Sequence, residues 1–170
     1  MDTFDGIFAG EKKRLKAMKD SKVGSFGVQS LVFITLIQIA CLMKIQSNLF
    51  LVLPISLFWG RFSTLFFINN YKYISYKRKT ISHKKYWNGF RKESLFSIIF
   101  LLFFITYQLS SFESGQLIIK SLFLIFAGFF VSYQIPEILG KKIGGCNGDA
   151  CGASVVIVET LMIFIYAIVL

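Results

Sequence analysis

Residues 49–68 read L-F-L-V-L-P-I-S-L-F-W-G-R-F-S-T-L-F-F-I. The run carries one charge, Arg61, and it has the length of about 20 predominantly apolar residues that a helix needs to cross a bilayer. Four shorter apolar runs surround it, at Gly27–Met43, Leu95–Leu109, Leu117–Val131 and Val155–Leu170. Flanking Ser, Gly, Tyr and Gln residues extend the third and fourth runs of the five, and the last barely reaches across before the sequence ends. Composition agrees. Of the 170 residues 55% are hydrophobic and 20 are Phe, against roughly 45–50% apolar residues in a soluble domain. The expected fold is therefore all-α, a polytopic integral membrane helical bundle of about five transmembrane helices forming a single membrane domain.

The net charge is +10, which suits either nucleic acid or a membrane, and placement decides between them. Lys12, Lys13, Arg14, Lys16, Lys19 and Lys22 precede the first run. Residues 69–94 carry Lys72, Lys77, Arg78, Lys79, Lys84, Lys85, Arg91 and Lys92, and residues 132–154 carry Lys141 and Lys142. The alternate segments hold only Lys44 and Glu113. One side thus collects sixteen of the nineteen basic residues, as cytoplasmic retention of Lys and Arg predicts. The expectation is a cytoplasmic segment 1–26, then a bundle over 27–170 with cytoplasmic loops at 69–94 and 132–154 and the chain end outside. The basic loop interleaves Tyr71, Tyr73, Tyr76, Tyr86, Trp87 and Phe90. That mixture can bind single strands, but it equally suits an anionic leaflet. The neighbouring spans need such an anchor in any case, so the bilayer is the expected partner and no nucleic acid is. His83 in this loop reads as solvated. Segment 11–22 reads as a short helix with Leu15 and Met18 on one face, fit to lie in the headgroup layer. No early apolar core marks a leader. Cys41, Cys146 and Cys151 read as reduced thiols, and the latter two lack nearby His or Cys partners for a zinc site.

With nine acids in the chain, each is informative. Asp2 and Asp5 form D-x-x-D, and at helical spacing their carboxylates face one way. Paired carboxylates repel unless a cation lies between them, and hard oxygens favour Mg²⁺. The plain alternative is an acidic helix start. The stretch Gly144-Gly145-Cys146-Asn147-Gly148-Asp149-Ala150-Cys151-Gly152-Ala153 lets backbone N–H groups approach an anion. Its plain alternative is a flexible loop with Asp149 as N-cap of the last helix. Arg61 and Glu159 are charges inside apolar runs, functional candidates by default. Arg61 lies close enough to the end of its run to snorkel, and Glu159 lies near the start of the last run.

Taken together these motifs resemble the cobalamin synthase family, adenosylcobinamide-GDP ribazoletransferase. Met1-Asp2-Thr3-Phe4-Asp5-Gly6, Arg14-Leu15 and Met18-Lys19-Asp20-Ser21-Lys22-Val23-Gly24-Ser25-Phe26-Gly27 resemble its D-T-x-D-G and R-x-L-E-I-M-(K/R)-D-S-(R/K)-x-G-x-x-G signatures. Gly144 to Ala153 with Glu159 resembles G-G-x-T-G-D-x-x-G-A followed by Glu, with Asn147 where the family has Thr. Arg61 resembles a family Arg more weakly. The family carries a His, a further Asp-Gly and about two more hydrophobic segments upstream, so the chain resembles the C-terminal two thirds of the enzyme.

The resemblance implies transfer of the corrinoid phosphate of adenosylcobinamide-GDP to α-ribazole or its 5′-phosphate, with release of GMP, in a bacterial inner membrane. It implies Asp2, Asp5 and Asp149 as Mg²⁺ ligands, with Asp5 and Asp149 catalytic. Lys19, Asp20, Ser21, Lys22, Gly24, Arg61, Gly144, Gly145, Gly148 and Glu159 are implied in substrate binding. A homo-oligomer is left open. Three readings compete: an inactive or non-catalytic membrane fragment, a CDP-alcohol phosphotransferase, and a transporter. The phosphotransferase needs D-G-x-x-A-R followed by spaced aspartates, and Gly6 is followed instead by Ile7-Phe8-Ala9-Gly10. A transporter would show internal repeats and midplane polar sites, and no repeat is visible.

Overall fold

The computed structural model describes residues 1–74, 87–111 and 115–169. The middle of the basic loop, residues 75–86 with His83, lies outside the described residues. Two short helices, α1 (Asp2–Phe8) and α2 (Arg14–Ala17), precede five long ones: α3 (Ser25–Ile45), α4 (Leu49–Asn70), α5 (Phe90–Ser111), α6 (Gly115–Ile143) and α7 (Gly148–Val169). Helices α3, α4, α6 and α7 contain stretches long and apolar enough to cross a membrane, while α5 opens on Arg91, Lys92 and Glu93. The outer faces are apolar. Phe33, Phe96 and Phe126 stand 66%, 84% and 81% exposed, which water would penalise and lipid does not.

Helix α4 is the hub. It packs on α5, α6 and α7, α6 packs on α7, and α3 leans on α7. Lipid offers helices little hydrophobic drive to associate, so close approach at small residues does that work. The Trp59 indole sits on Gly128 of α6, the Glu159 side chain on Gly60 of α4, and the Tyr71 ring on Gly140 of α6; a Cβ at any of the three would overlap its partner. The hydroxyls of Ser63 and Ser154, both fully buried, meet at 2.9 Å between α4 and α7. Phe62 and Phe66 of α4 extend the core through ring contacts with Phe90, Phe129 and Tyr133 at 5.1–6.0 Å, the offset and edge arrangements aromatic quadrupoles favour.

The polar segments are more ordered than expected. Residues 132–154 do not form a loop. Helix α6 continues to Ile143 and α7 begins at Gly148, leaving residues 144–147 as the turn. Of the small residues in that stretch, Ala150 and Ser154 are fully buried, while Gly148 and Gly152 face open space on α7. Lys141 and Glu137 pair at 2.6 Å across one turn of α6. In segment 11–22 only Arg14–Ala17 is helical. Met18 does not face a headgroup layer; it is 4% exposed and its side chain packs against Gly6 of α1.

The first turns of α3 lack a side-chain cap of their own, since Gly24 is the N-cap residue. Asp5 supplies one from α1. Its carboxylate oxygens accept the N–H groups of Gly24 at 2.9 Å and Gly27 at 2.8 Å. Orphan amides at a helix start need acceptors, and a negative charge there also meets the helix dipole. This docks α1 on the start of α3. It also explains the two glycines, because a Cβ on either would overlap the Asp5 carboxylate.

Arg61 and Glu159 meet between α4 and α7, with Nη1 and Oε1 4.0 Å apart. They are not near helix ends. Arg61 lies nine residues before the end of α4 and Glu159 eleven residues into α7, so both sit roughly 14–17 Å along the helices from those ends at 1.5 Å per residue, with Arg61 on the outer face and Glu159 largely buried.

Two outcomes follow from this packing. Gly27→Ala gains about 1 kcal/mol of helix propensity, yet the overlap with Asp5 costs about 1–3 kcal/mol. The variant is expected to melt lower in detergent by circular dichroism, and a raised melting point would contradict the Asp5 cap. Arg61→Met leaves the Glu159 carboxylate unpaired in the bundle and is expected to cost about 1–3 kcal/mol. Adding Glu159→Gln should recover part of that loss in the same melts, and strictly additive losses would remove the coupling.

Candidate active site

The N-terminal segment, the end of α4 and the α6–α7 turn meet at one end of the bundle. Gly144 and Gly145 make the turn with φ of 86° and 156°, a backbone region that side-chain-bearing residues rarely adopt. Cys146 then pairs with the segment after α4. Its N–H donates to the Lys72 carbonyl at 2.9 Å and its carbonyl accepts the Ile74 N–H at 2.7 Å. The turn is thus stitched down rather than loose. Two of its amides, those of Gly144 and Cys146, are spent on Gly140 and Lys72 inside the fold. The expectation that this loop offers its amides to an anion is narrowed accordingly.

Asn147, not Asp149, caps α7. Its Oδ1 accepts the Ala150 N–H at 2.8 Å. Asn and Thr are both N-cap residues, which accounts physically for Asn147 standing where the family pattern has Thr. The Asp149 carboxylate is left to line a cavity of about 340 Å³ together with Asp2 of α1 and Ser30 of α3. Apolar walls from Ile34, Ala153 and Val156 complete it. The two carboxylates are near enough for the Asp2 charge to act on Asp149, as does the opposing charge of Lys19. Met18 ties the base of this arrangement together, touching Gly6 on one side and the Asn147 amide, at 4.0 Å, on the other.

The structure therefore brings Asp2 and Asp149 to one cavity, with Lys19 near enough for its charge to reach Asp149. Asp5 sits alongside, and each of its carboxylate oxygens accepts one backbone N–H, so in this structure it caps the start of α3. Asp20 accepts the N–H of Lys22 at 3.0 Å, and Ser21 and Lys22 are exposed beside it. Gly24 serves the Asp5 contact. Gly148 opens α7. Arg61 and Glu159 bind each other deeper in the bundle, away from the aspartates. Among the described residues no three His, Cys, Asp or Glu side chains come together as a metal cage; of the three expected carboxylates, Asp2 and Asp149 line the shared cavity. Sequence reasoning did not single out Ser30 or the cap role of Asn147. The Asn147 cap had a signal, an Asn immediately before a glycine and an acid that open a helix. Ser30 had none.

Comparison with known proteins bears on the same residues. The family model described as cobalamin-5-phosphate synthase matches residues 1–167. A protein of Prochlorococcus marinus strain SARG named adenosylcobinamide-GDP ribazoletransferase is 41% identical over 175 aligned residues, covering all of this chain and 66% of that protein. One of the same name from strain MIT 9313 is 37% identical with the same coverage. A third, from Desulforamulus reducens, is 30% identical over 97% of this chain and 64% of its own length. The chain thus spans just under two thirds of the length of these relatives. No solved structure matches it. A match running from Met1, through the α1 aspartates, the glycine turn and Asp149, nearly to the end of α7 assigns the chain to the cobalamin-5-phosphate synthase family.

Proposed function

We propose that this chain performs the reaction named for its relatives, joining adenosylcobinamide-GDP to α-ribazole or its 5′-phosphate with release of GMP. The observation that carries the reading is the shared cavity of Asp2 and Asp149 at the charged end of the bundle. By the distribution of Lys and Arg, that end faces the cytoplasm of a bacterial inner membrane, where both soluble co-substrates would be available.

Phosphoryl transfer of this kind asks a protein for alignment and for relief of negative charge. Two hard carboxylates from different helices, with room beside them for substrate oxygens, fit a Mg²⁺ ion, which commonly takes one or two carboxylates and completes its shell from phosphates. Asp2 and Asp149 would hold it, and when bound it would offset charge on the pyrophosphate and the departing GMP. The protein's own groups do the rest. Lys19 lies near enough for its charge to act on Asp149, and Lys22 stands exposed nearby in the chain for phosphate contact. Asp5 holds α1 on α3 through Gly24 and Gly27, which keeps Asp2 opposite Asp149. The apolar side of the cavity, Ile34 and Val156, excludes water from the reacting hydroxyl.

The test is GMP release by the chain in bilayer vesicles supplied with adenosylcobinamide-GDP, α-ribazole and Mg²⁺. Asp2→Asn and Asp149→Asn are each expected to lower turnover on the order of a hundredfold or more and to raise the Mg²⁺ concentration for half-maximal rate. Asp5→Asn should lower turnover with little change in that concentration. Full turnover by Asp149→Asn would overturn the site.

A further inference from the structure

Cys146 and Cys151 are separated by four residues that include Asp149, and their sulfurs are in contact at 3.2 Å. The pair is unequal. Cys146 is 1% exposed, while Cys151, in the first turns of α7, is partly accessible. Cys41, the third thiol, is buried on α3 in a different cluster. The segment between the two sulfurs holds the Asn147 cap of α7, through Ala150 at 2.8 Å and the Cys151 N–H on the Asn147 carbonyl at 3.0 Å. The backbone of Cys146 is anchored on Lys72 and Ile74. A covalent link between the sulfurs would close a small ring around Asp149, with one end fixed to the α4 exit and the other to α7.

We propose that Cys146 and Cys151 form a reversible disulfide by exchange with a small-molecule disulfide, a modification site at the rim of the cavity. The Cys151 sulfur attacks one sulfur of the reagent, R–S–S–R, giving up its proton as the bond forms, and one R–S⁻ leaves. The Cys146 sulfur then attacks the mixed disulfide at Cys151, loses its proton and expels the second R–S⁻. Two protein thiols and one disulfide give one protein disulfide and two R–SH, so electrons balance. Accessibility sets the order, since Cys146 is closed to the reagent and already touches the sulfur it must attack. Reversible exchange of this kind is compatible with a reducing compartment, where disulfides are characteristically transient. The chemistry of the pair stands independently of the transferase reading, and only its effect on turnover rests on that reading.

The experiment equilibrates the protein in detergent with oxidised and reduced glutathione at graded ratios, alkylates under denaturing conditions and counts adducts by intact mass. Three adducts are expected at the reduced end. At the oxidised end one is expected, on Cys41, with dithiothreitol restoring the others. Cys146→Ser should instead trap glutathione on Cys151, and Cys151→Ser should retain its two adducts. Turnover of the oxidised protein is expected to fall at least tenfold and to recover with dithiothreitol. Persistence of three adducts across the series, or glutathione held on both cysteines of the unaltered protein, would overturn the disulfide. A protein that forms it with unchanged, measurable turnover would overturn its effect on the site. If no form of the protein turns over, the transferase reading fails while the adduct count still decides the disulfide.

Discussion

The carboxylate of Asp5 on the amides of Gly24 and Gly27 is the constraint on which the rest depends. Without it α1 is a seven-residue helix, too short to persist alone in water, attached to a bundle by a segment rich in like charges. With it, α1 becomes a lid on the start of α3, and Met18 wedges beneath it against Gly6. The geometry of the cavity follows. Asp2 lies one turn from Asp5 on the same short helix, so fixing Asp5 also fixes the carboxylate that faces Asp149. A hydrogen bond to a charged group contributes about 1.5–3 kcal/mol, enough to order a short element.

The opposite wall is built by different means. The start of α7 is held by the Asn147 cap, by the backbone pairing of Cys146 with Lys72 and Ile74, and by the burial of Ala150 and Ser154 against α4 and α6. Because Asn147 does the capping, Asp149 is not used up at the helix start. Lower in the bundle, Gly60 lets Glu159 approach Arg61. A charged pair there is costly in lipid, and such pairs are retained where they serve a purpose. Here it joins α4 to α7 at one level of the bundle.

The helices were legible because lipid sets a length and a polarity that few other environments impose. The apolar run at 49–68 is α4 almost to the residue, and the common end of the charged segments follows from the alternation of Lys and Arg. What could not be read was where helices outrun their apolar centres. Residues 148–154 look like a loop by composition, since Gly148 and Gly152 disfavour a helix in water and Asp149 and Ser154 are polar. Burial of the small Ala150 and Ser154 between packed helices and the Asn147 cap let α7 start earlier. That shift moves Glu159 from a helix end to mid-depth and turns two isolated charges into a pair. Asp5 was singled out by spacing as one of two like carboxylates. The spacing was correct, but two glycines more than eighteen residues away in sequence decide what the carboxylate binds, and a local pattern does not carry that.

The most direct measurement places one spin label at Asp2→Cys and another at Asp149→Cys, in a chain whose Cys41, Cys146 and Cys151 are serine, and records dipolar broadening in nanodiscs. The account predicts strong broadening when Asp5 is present and its loss when Asp5→Ala is added. Absence of broadening in the parent, or broadening unchanged by Asp5→Ala, would contradict a cavity assembled by the Asp5 contact.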